Sequence, residues 1–252
     1  MEVGPLSRDE RAMKSIQLPQ PRKRPKGPPS EFVSLFDVDN TLLDNDRIEK
    51  DLRRHLESEF GAEVRDRYFA IFEELRAELG YADYLGALQR YRLEDLCDVR
   101  LLMMSSFLVD YPFADRLYPG SLVTLEHIQR WGPAVILSDG DVVFQPRKVQ
   151  RSGLWEAVKG RVLIYIHKEE MLKDVEIHYP ARHYVMVDDK LRILAAMKKT
   201  WGNRITTVWP RQGHYALDSQ ATAKYPSADL TIDQIGDLVN YDLRALVSRR
   251  KA

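Results

Sequence analysis

The stretch Phe32-Val33-Ser34-Leu35-Phe36-Asp37-Val38-Asp39-Asn40-Thr41 decides how this chain is read. An apolar run of strand length ends abruptly in two acids one residue apart. Carboxylates at the end of a buried strand are costly unless something neutralises them. A bound divalent cation or a phosphate-handling mechanism supplies that reason. Alternate residues of an extended segment share a side, so Asp37 and Asp39 can face one pocket.

Working outward, four more apolar runs read as buried parallel strands: Ala134 to Leu137, Val162 to Ile166, Tyr184 to Val187 and Ile205 to Trp209. A short closing strand is expected over Ala228 to Ile232. Helical patterns lie between them. Leu122, Leu125, Ile128 and Gln129 mark one helix, entered at Pro119-Gly120-Ser121 and stopped at Gly132-Pro133. Leu191, Leu194, Ala195 and Met197 mark another, running to Gly202. Alternating strands and helices predict an α/β fold with a parallel sheet and right-handed crossovers. Ligands of such sheets bind beyond the carboxyl ends of the strands, so the polar residues after each strand matter most.

About seventy residues without strand character separate the first strand from Pro119. Ile48, Leu52, Leu56 and Phe60 recur every four residues. Val64, Tyr68, Ile71, Phe72, Leu75 and Leu79 form a second stripe ending at Gly80. Tyr84, Leu85, Leu88 and Tyr91 begin a third, and Leu101 to Val109 a fourth, stopped by Pro112. This predicts a helical insertion over 45–112, between core segments 31–44 and 113–252.

The strand ends carry chemistry in a consistent order. Strand two runs into Leu137-Ser138-Asp139-Gly140-Asp141, where a small hydroxyl can bond a phosphate oxygen beside a glycine that permits close approach. After strand three stands Lys168, a point charge suited to crowded phosphoryl oxygens. Arg147, Lys148 and His167 are the rival cations, but Arg147 and Lys148 follow Pro146 in a helix expected to lead away from the strand ends. Strand four ends in Val187-Asp188-Asp189-Lys190. One acid there can cap the next helix, but a cap does not require two.

The set Asp37/Asp39/Thr41, Ser138, Lys168, Asp188/Asp189 resembles the four motifs of the haloacid dehalogenase (HAD) superfamily, over about residues 31–240. The resemblance implies a Rossmann-like core and identifies the insertion with a C1-type helical cap. It implies that Asp37 is the nucleophile and a magnesium ligand. Asp39 is then the general acid/base, with its backbone carbonyl on the metal. Thr41 steadies the loop, Ser138 and Lys168 hold phosphate, and Asp188 and Asp189 complete the Mg²⁺ site. Asp139 stands where many relatives carry Asn, and the proline usual after the lysine is replaced by Glu169. Haloacid dehalogenases generally lack the second motif-one acid, so Asp39 favours phosphate chemistry. The expected activity is a Mg²⁺-dependent phosphomonoesterase acting on a small phosphorylated compound through an aspartyl-phosphate. A phosphomutase, a dehalogenase or a non-catalytic scaffold of the same fold are the alternatives. Tyr81, Tyr84, Arg90 and Arg92 are cap residues that could reach substrate; Arg211 and His214, after strand five, are expected in a loop.

Composition agrees with a globular protein. Of 252 residues, 44% are hydrophobic and 30% charged, and the formal net charge is zero, which argues against a whole-protein nucleic-acid footprint. A single cysteine, Cys97, leaves no intrachain disulfide, and a reducing cytoplasm fits. No apolar run reaches the roughly 20 residues of a membrane helix. Residues 1–30 differ, with six of the thirteen prolines and seven basic against three acidic residues. They are expected to form a disordered basic tail. Arg249-Arg250-Lys251 reads as a frayed end. A monomer or homodimer is expected.

Overall fold

The computed structural model describes residues 28–94 and 100–248. The basic segment up to residue 27, Cys97 and Arg249-Arg250-Lys251 lie outside the described residues.

Six parallel strands form one sheet: β1 (Ser30–Phe36), β2 (Ala134–Asp139), β3 (Val162–Tyr165), β4 (Ala181–Val187), β5 (Ile205–Pro210) and β6 (Leu230–Ile232). Their spatial order is β3-β2-β1-β4-β5-β6. The chain winds outward in both directions from β1, so the topological switch lies between β1 and β4. A crevice opens at the carboxyl ends of just these two strands. The register pairs Phe36 with Val187, which sets Asp37 beside Asp188.

The helices include α1 (Asn45–Phe60), α2 (Ala62–Leu79), α3 (Tyr84–Tyr91), α4 (Arg100–Asp110), α5 (Ser121–Ile128), α6 (Phe144–Arg151), α7 (Leu172–His178), α8 (Leu191–Trp201) and the short α9 (Gly213–Leu217). Two apolar clusters fill the interior. Val33, Leu35, Leu137, Tyr184, Met186, Leu194 and Trp201 belong to one, on the face covered by α7 and α8. The other joins Phe36, Ile136 and Val187 of the sheet to Ile48, Leu52, Tyr68, Phe72 and Tyr84 of the inserted helices. The insertion therefore packs as a layer continuous with the sheet's second face. A run of ring contacts, Phe72–Tyr84–Phe144–Phe113–Tyr111, crosses from that layer into the core at centroid distances of 4.6 to 5.7 Å.

Gly80 ends α2 at φ 79°, a left-handed cap suited to glycine, and its amide donates to the Arg76 carbonyl. A Cβ there would sit 3.0 Å from the His167 ring. The α2–α3 turn thus rests against the loop that follows β3.

Three expectations shift in detail. Leu122 is 42% exposed, because α5 turns Ser121 and Thr124 inward with Leu125 and Ile128. Their hydroxyls donate to the buried carbonyls of Leu42 (2.8 Å) and Ile235 (3.1 Å), a demand no apolar side chain could meet. Strand β3 is an edge strand and stops at Tyr165, leaving Ile166 exposed. The closing strand begins at Leu230 rather than Ala228.

Candidate active site

Each strand end delivers its side chain because the backbone ladder reaches the last residue. The Asp37 amide donates to Val187 O, and the Asp188 amide to Val208 O. Asp37, Asp188 and Asp189 are buried, and one carboxylate oxygen from each lies within 4.8 Å of the others. Lys168 Nζ sits between two of them, 2.5 Å from Asp37 Oδ1 and 2.7 Å from Asp188 Oδ2. Three buried carboxylates around one directly paired ammonium leave an excess of negative charge in a desolvated place. Burial lifts Asp188 to about 6, with Lys168 opposing, and raises Asp189 well above the usual carboxylate range. Burial alone would lower the Lys168 ammonium, but Asp188, Asp37 and Asp139 hold it above its ordinary value.

Both Asp189 carboxylate oxygens are buried, with no hydrogen-bond donor among the described residues. Asp189 therefore does not cap α8. Asp188 does accept the Lys190 amide at 2.8 Å. Oxygen ligands converging around an undersatisfied, electron-rich spot fit a hard divalent cation. The Asp39 side chain takes no part in this group; only its backbone carbonyl remains to serve as a ligand.

The surrounding polar residues orient the acids. Thr41 Oγ1 donates to Asp37 Oδ2 at 3.4 Å and accepts the Asp189 amide at 3.0 Å. Ser138 Oγ lies 3.5 Å from Asp37 Oδ1 and receives Gln145 Nε2 at 2.9 Å. Asp139 Oδ1 accepts the Lys168 amide at 2.7 Å and anchors the turn that aims this lysine. Burial raises the Asp139 carboxyl, against the pull of Lys168. Asp141 accepts the Val143 and Phe144 amides at the entrance to α6, a turn-closing role.

One expectation is corrected. Helix α6 does carry Arg147 away, to Val109 O and Asp110. It does not carry Lys148 away. Gln145 and Lys148 are three residues apart and share the inward face of α6. The long Lys148 side chain reaches Asp39, with Nζ 2.9 Å from each carboxylate oxygen, and Asn45 Oδ1 at 2.7 Å. Sequence reasoning weighed Lys148 as a rival cation and set it aside, and gave Gln145 and Asn45 no role. The i, i+3 spacing of Gln145 and Lys148 was the available signal.

A cleft runs from these strand ends to the inserted helices. Asp39, Asp139, Lys190 and Arg192 line its core side, and Asn45, Phe72, Arg76, Tyr81 and Tyr84 its helical side. His214 and Tyr215, after β5, also line it; His214 Nδ1 lies 2.6 Å from Asp46 Oδ1. Arg211 instead pairs with Asp233 at the surface, Arg90 pairs with Glu78, and Arg92 is exposed.

No family model matches the chain, and no curated protein does. Solved structures do. A haloacid dehalogenase-like hydrolase from Burkholderia xenovorans LB400 is 68% identical, with a TM-score of 0.82, over 85% of this chain and all of that one. Two distant matches share the fold. The HAD-hydrolase YfnB from Bacillus subtilis, solved bound to magnesium, is 16% identical with a TM-score of 0.58, over 84% of this chain and 98% of that one. The L-2-haloacid dehalogenase from Xanthobacter autotrophicus, solved with chloropropionic acid covalently bound, is 18% identical with a TM-score of 0.52, over 84% and 97%. At 68% identity over 85% of this chain and the whole of that one, the match to the Burkholderia structure shows the family: the chain belongs to the haloacid dehalogenase-like hydrolases.

Proposed function

We propose that this hydrolase is a Mg²⁺-dependent phosphomonoesterase, with the inserted helices α1–α4 as its cap. One observation carries the reading. Three buried acids, Asp37, Asp188 and Asp189, crowd around one lysine, and a further acid, Asp39, lines the adjoining cleft. The cluster's excess charge calls for a divalent cation. The separate acid calls for a reaction that moves a proton. Halide displacement needs no proton donor, so under a dehalogenase reading Asp39 would have no chemical task.

In this mechanism an Asp37 oxygen attacks phosphorus in line, forming an O–P bond as the bond to the leaving oxygen breaks. Asp39, paired as a carboxylate with Lys148, first takes up a proton and then gives it to that leaving oxygen. It then takes a proton from water as the water oxygen attacks phosphorus and the Asp37 carboxylate departs. Lys168 holds Asp37 and offers positive charge to the transferring group, Ser138 offers its hydroxyl, and Thr41 keeps the loop in register. A Mg²⁺ held by Asp37, Asp188 and Asp189 supplies electrostatic stabilisation to the phosphoryl oxygens when bound.

Phosphate release from a broad panel of phosphomonoesters, with and without Mg²⁺, tests this. Activity should require Mg²⁺, and Asp37→Asn should lower it by at least about 10³-fold, because it removes the nucleophile. Hydrolysis at an unchanged rate in that variant would overturn the mechanism. A silent panel accompanied by turnover of a 2-haloacid would overturn the substrate class.

A further inference from the structure

We propose that Lys148 is a positioning residue for Asp39 and that, through Asn45, it ties the placement of this carboxylate to the docking of helix α1. The proposal rests on the phosphomonoesterase reading for its kinetic consequence, but not for its structural one.

An ammonium has three N–H donors and no acceptor. Lys148 finds three oxygens: Asp39 Oδ1 and Oδ2, each at 2.9 Å, and Asn45 Oδ1 at 2.7 Å. Its side chain is 1% exposed, so water does not share the task. The Phe144 ring centre lies 4.8 Å from Nζ and that of Tyr84 5.7 Å away, closing the remaining directions with π faces. From the other end the dependence is as strong. Among the described residues, no other hydrogen bond reaches the Asp39 carboxylate. Without Lys148 that side chain would be free to turn in the cleft.

Asn45 gives the contact its second consequence. It is the first residue of α1, and its Nδ2 donates to the Tyr84 hydroxyl of α3 at 3.4 Å. A continuous path of polar contacts therefore runs from Asp39 through Lys148 and Asn45 into the helical layer. With α1 docked, the ammonium is shared between carboxylate and amide, and Asp39 is held by both oxygens at the cleft wall. With α1 displaced, one N–H loses its acceptor and the ammonium must recentre on Asp39. Alignment of the acid/base group and placement of the cap are then one event. A lysine that merely fills the core would have no reason to favour one substrate over another.

The test uses the full chain with Lys148→Met, which keeps an unbranched apolar stem between the two rings and removes the donors. Single-turnover phosphoryl transfer is measured with 4-nitrophenyl phosphate, whose leaving group needs no proton, and with glycerol phosphate, whose leaving alkoxide does. The glycerol phosphate rate should fall about 10²- to 10³-fold and the aryl phosphate rate less than about 5-fold, the span expected of misplaced acid catalysis. In an Asp39→Asn background, Lys148→Met should add no further loss, because the two residues act as one unit. Asn45→Ala should show the same substrate bias with a smaller factor. Equal losses on both substrates, or losses that multiply in the double variant, would overturn the proposal. If the unaltered protein turns over neither ester, the phosphomonoesterase reading falls. Crystal structures of Lys148→Met and Asn45→Ala then decide the positioning role alone: an Asp39 carboxylate turned from its place supports it, and an unmoved one overturns it. Should Lys148→Met not fold, Asn45→Ala carries both comparisons.

Discussion

The strand ends and the outer helical layer handle charge in opposite ways. At the strand ends, the cations are buried and pair with acids far away in sequence: Lys168 with Asp37, and Lys148 with the half-buried Asp39. On α1 and α2, Arg53 meets Glu49 and Arg76 meets Glu73, each about one helical turn apart and open to water. Water can stabilise the second set without help. Only the fold can stabilise the first. Buried long-range charge marks where the chain spends stability on chemistry, and exposed short-range charge marks where it keeps a helix soluble.

Removing the cation at the centre of the acid cluster tests this contrast most severely. Lys168→Met leaves buried carboxylates without their direct partner, and should cost about 3–5 kcal/mol in denaturant unfolding. A loss below about 1 kcal/mol, the scale of an exposed pair, would erase the distinction between the two regions.

Supplying a cation should act in the opposite direction. Mg²⁺ at a hundred times its dissociation constant should stabilise the protein by about 2.7 kcal/mol, seen as a rise in melting temperature. Asp188→Asn should reduce that rise. A rise of the same size in the variant would remove Asp188 from the cation site.

Asp51 sharpens the comparison, because it lies on α1 yet behaves like a strand-end acid. It is buried and accepts Tyr111 Oη at 2.6 Å and Arg116 Nη2 at 2.8 Å, linking the helical layer to the core. Burial pushes its carboxyl up, but Tyr111 and Arg116 hold it below its ordinary value. A depressed value means stability present above the unfolded pKa, near about 3.9, and lost as pH falls through the lower folded one. Asp51→Asn should cost about 1–3 kcal/mol at neutral pH and flatten the loss of stability below about pH 4. An unchanged acid slope would dissociate this residue from it.

The smallest effect belongs to the helix surface. Glu49→Gln, which weakens the pair with Arg53, should change stability by no more than about 0.5 kcal/mol. A larger effect would mean that the cleft senses this face of α1.

The parallel sheet and the acid-bearing strand ends were legible because each signal is contiguous. An apolar run reports burial, and the first polar residue after it reports the edge of the sheet. Asp37, Ser138, Lys168 and Asp188 stand at such edges. The inserted helices were legible from their three- and four-residue spacing, and the buried sides of α1 and α2 follow it. Leu122 was misleading because α5 faces backbone carbonyls that only hydroxyls can satisfy. Lys148 was misleading for a different reason. Its helix does lead away from the strand end, while a side chain of four methylenes leads back, and the i, i+3 spacing with Gln145 is the one local sign of it.

By itself, the order of residues determined the α/β architecture, the inserted helices and which acids stand at strand ends, since burial periodicity and strand termination are local properties. Only the tertiary structure decided which cation serves which carboxylate. It gave Lys168 to Asp37 and Asp188, Lys148 to Asp39 and Asn45, and left the Asp189 carboxylate without a donor among the described residues. Such pairing follows from helix phase, sheet register and side-chain reach between segments distant in sequence, and those are set only when the layers pack.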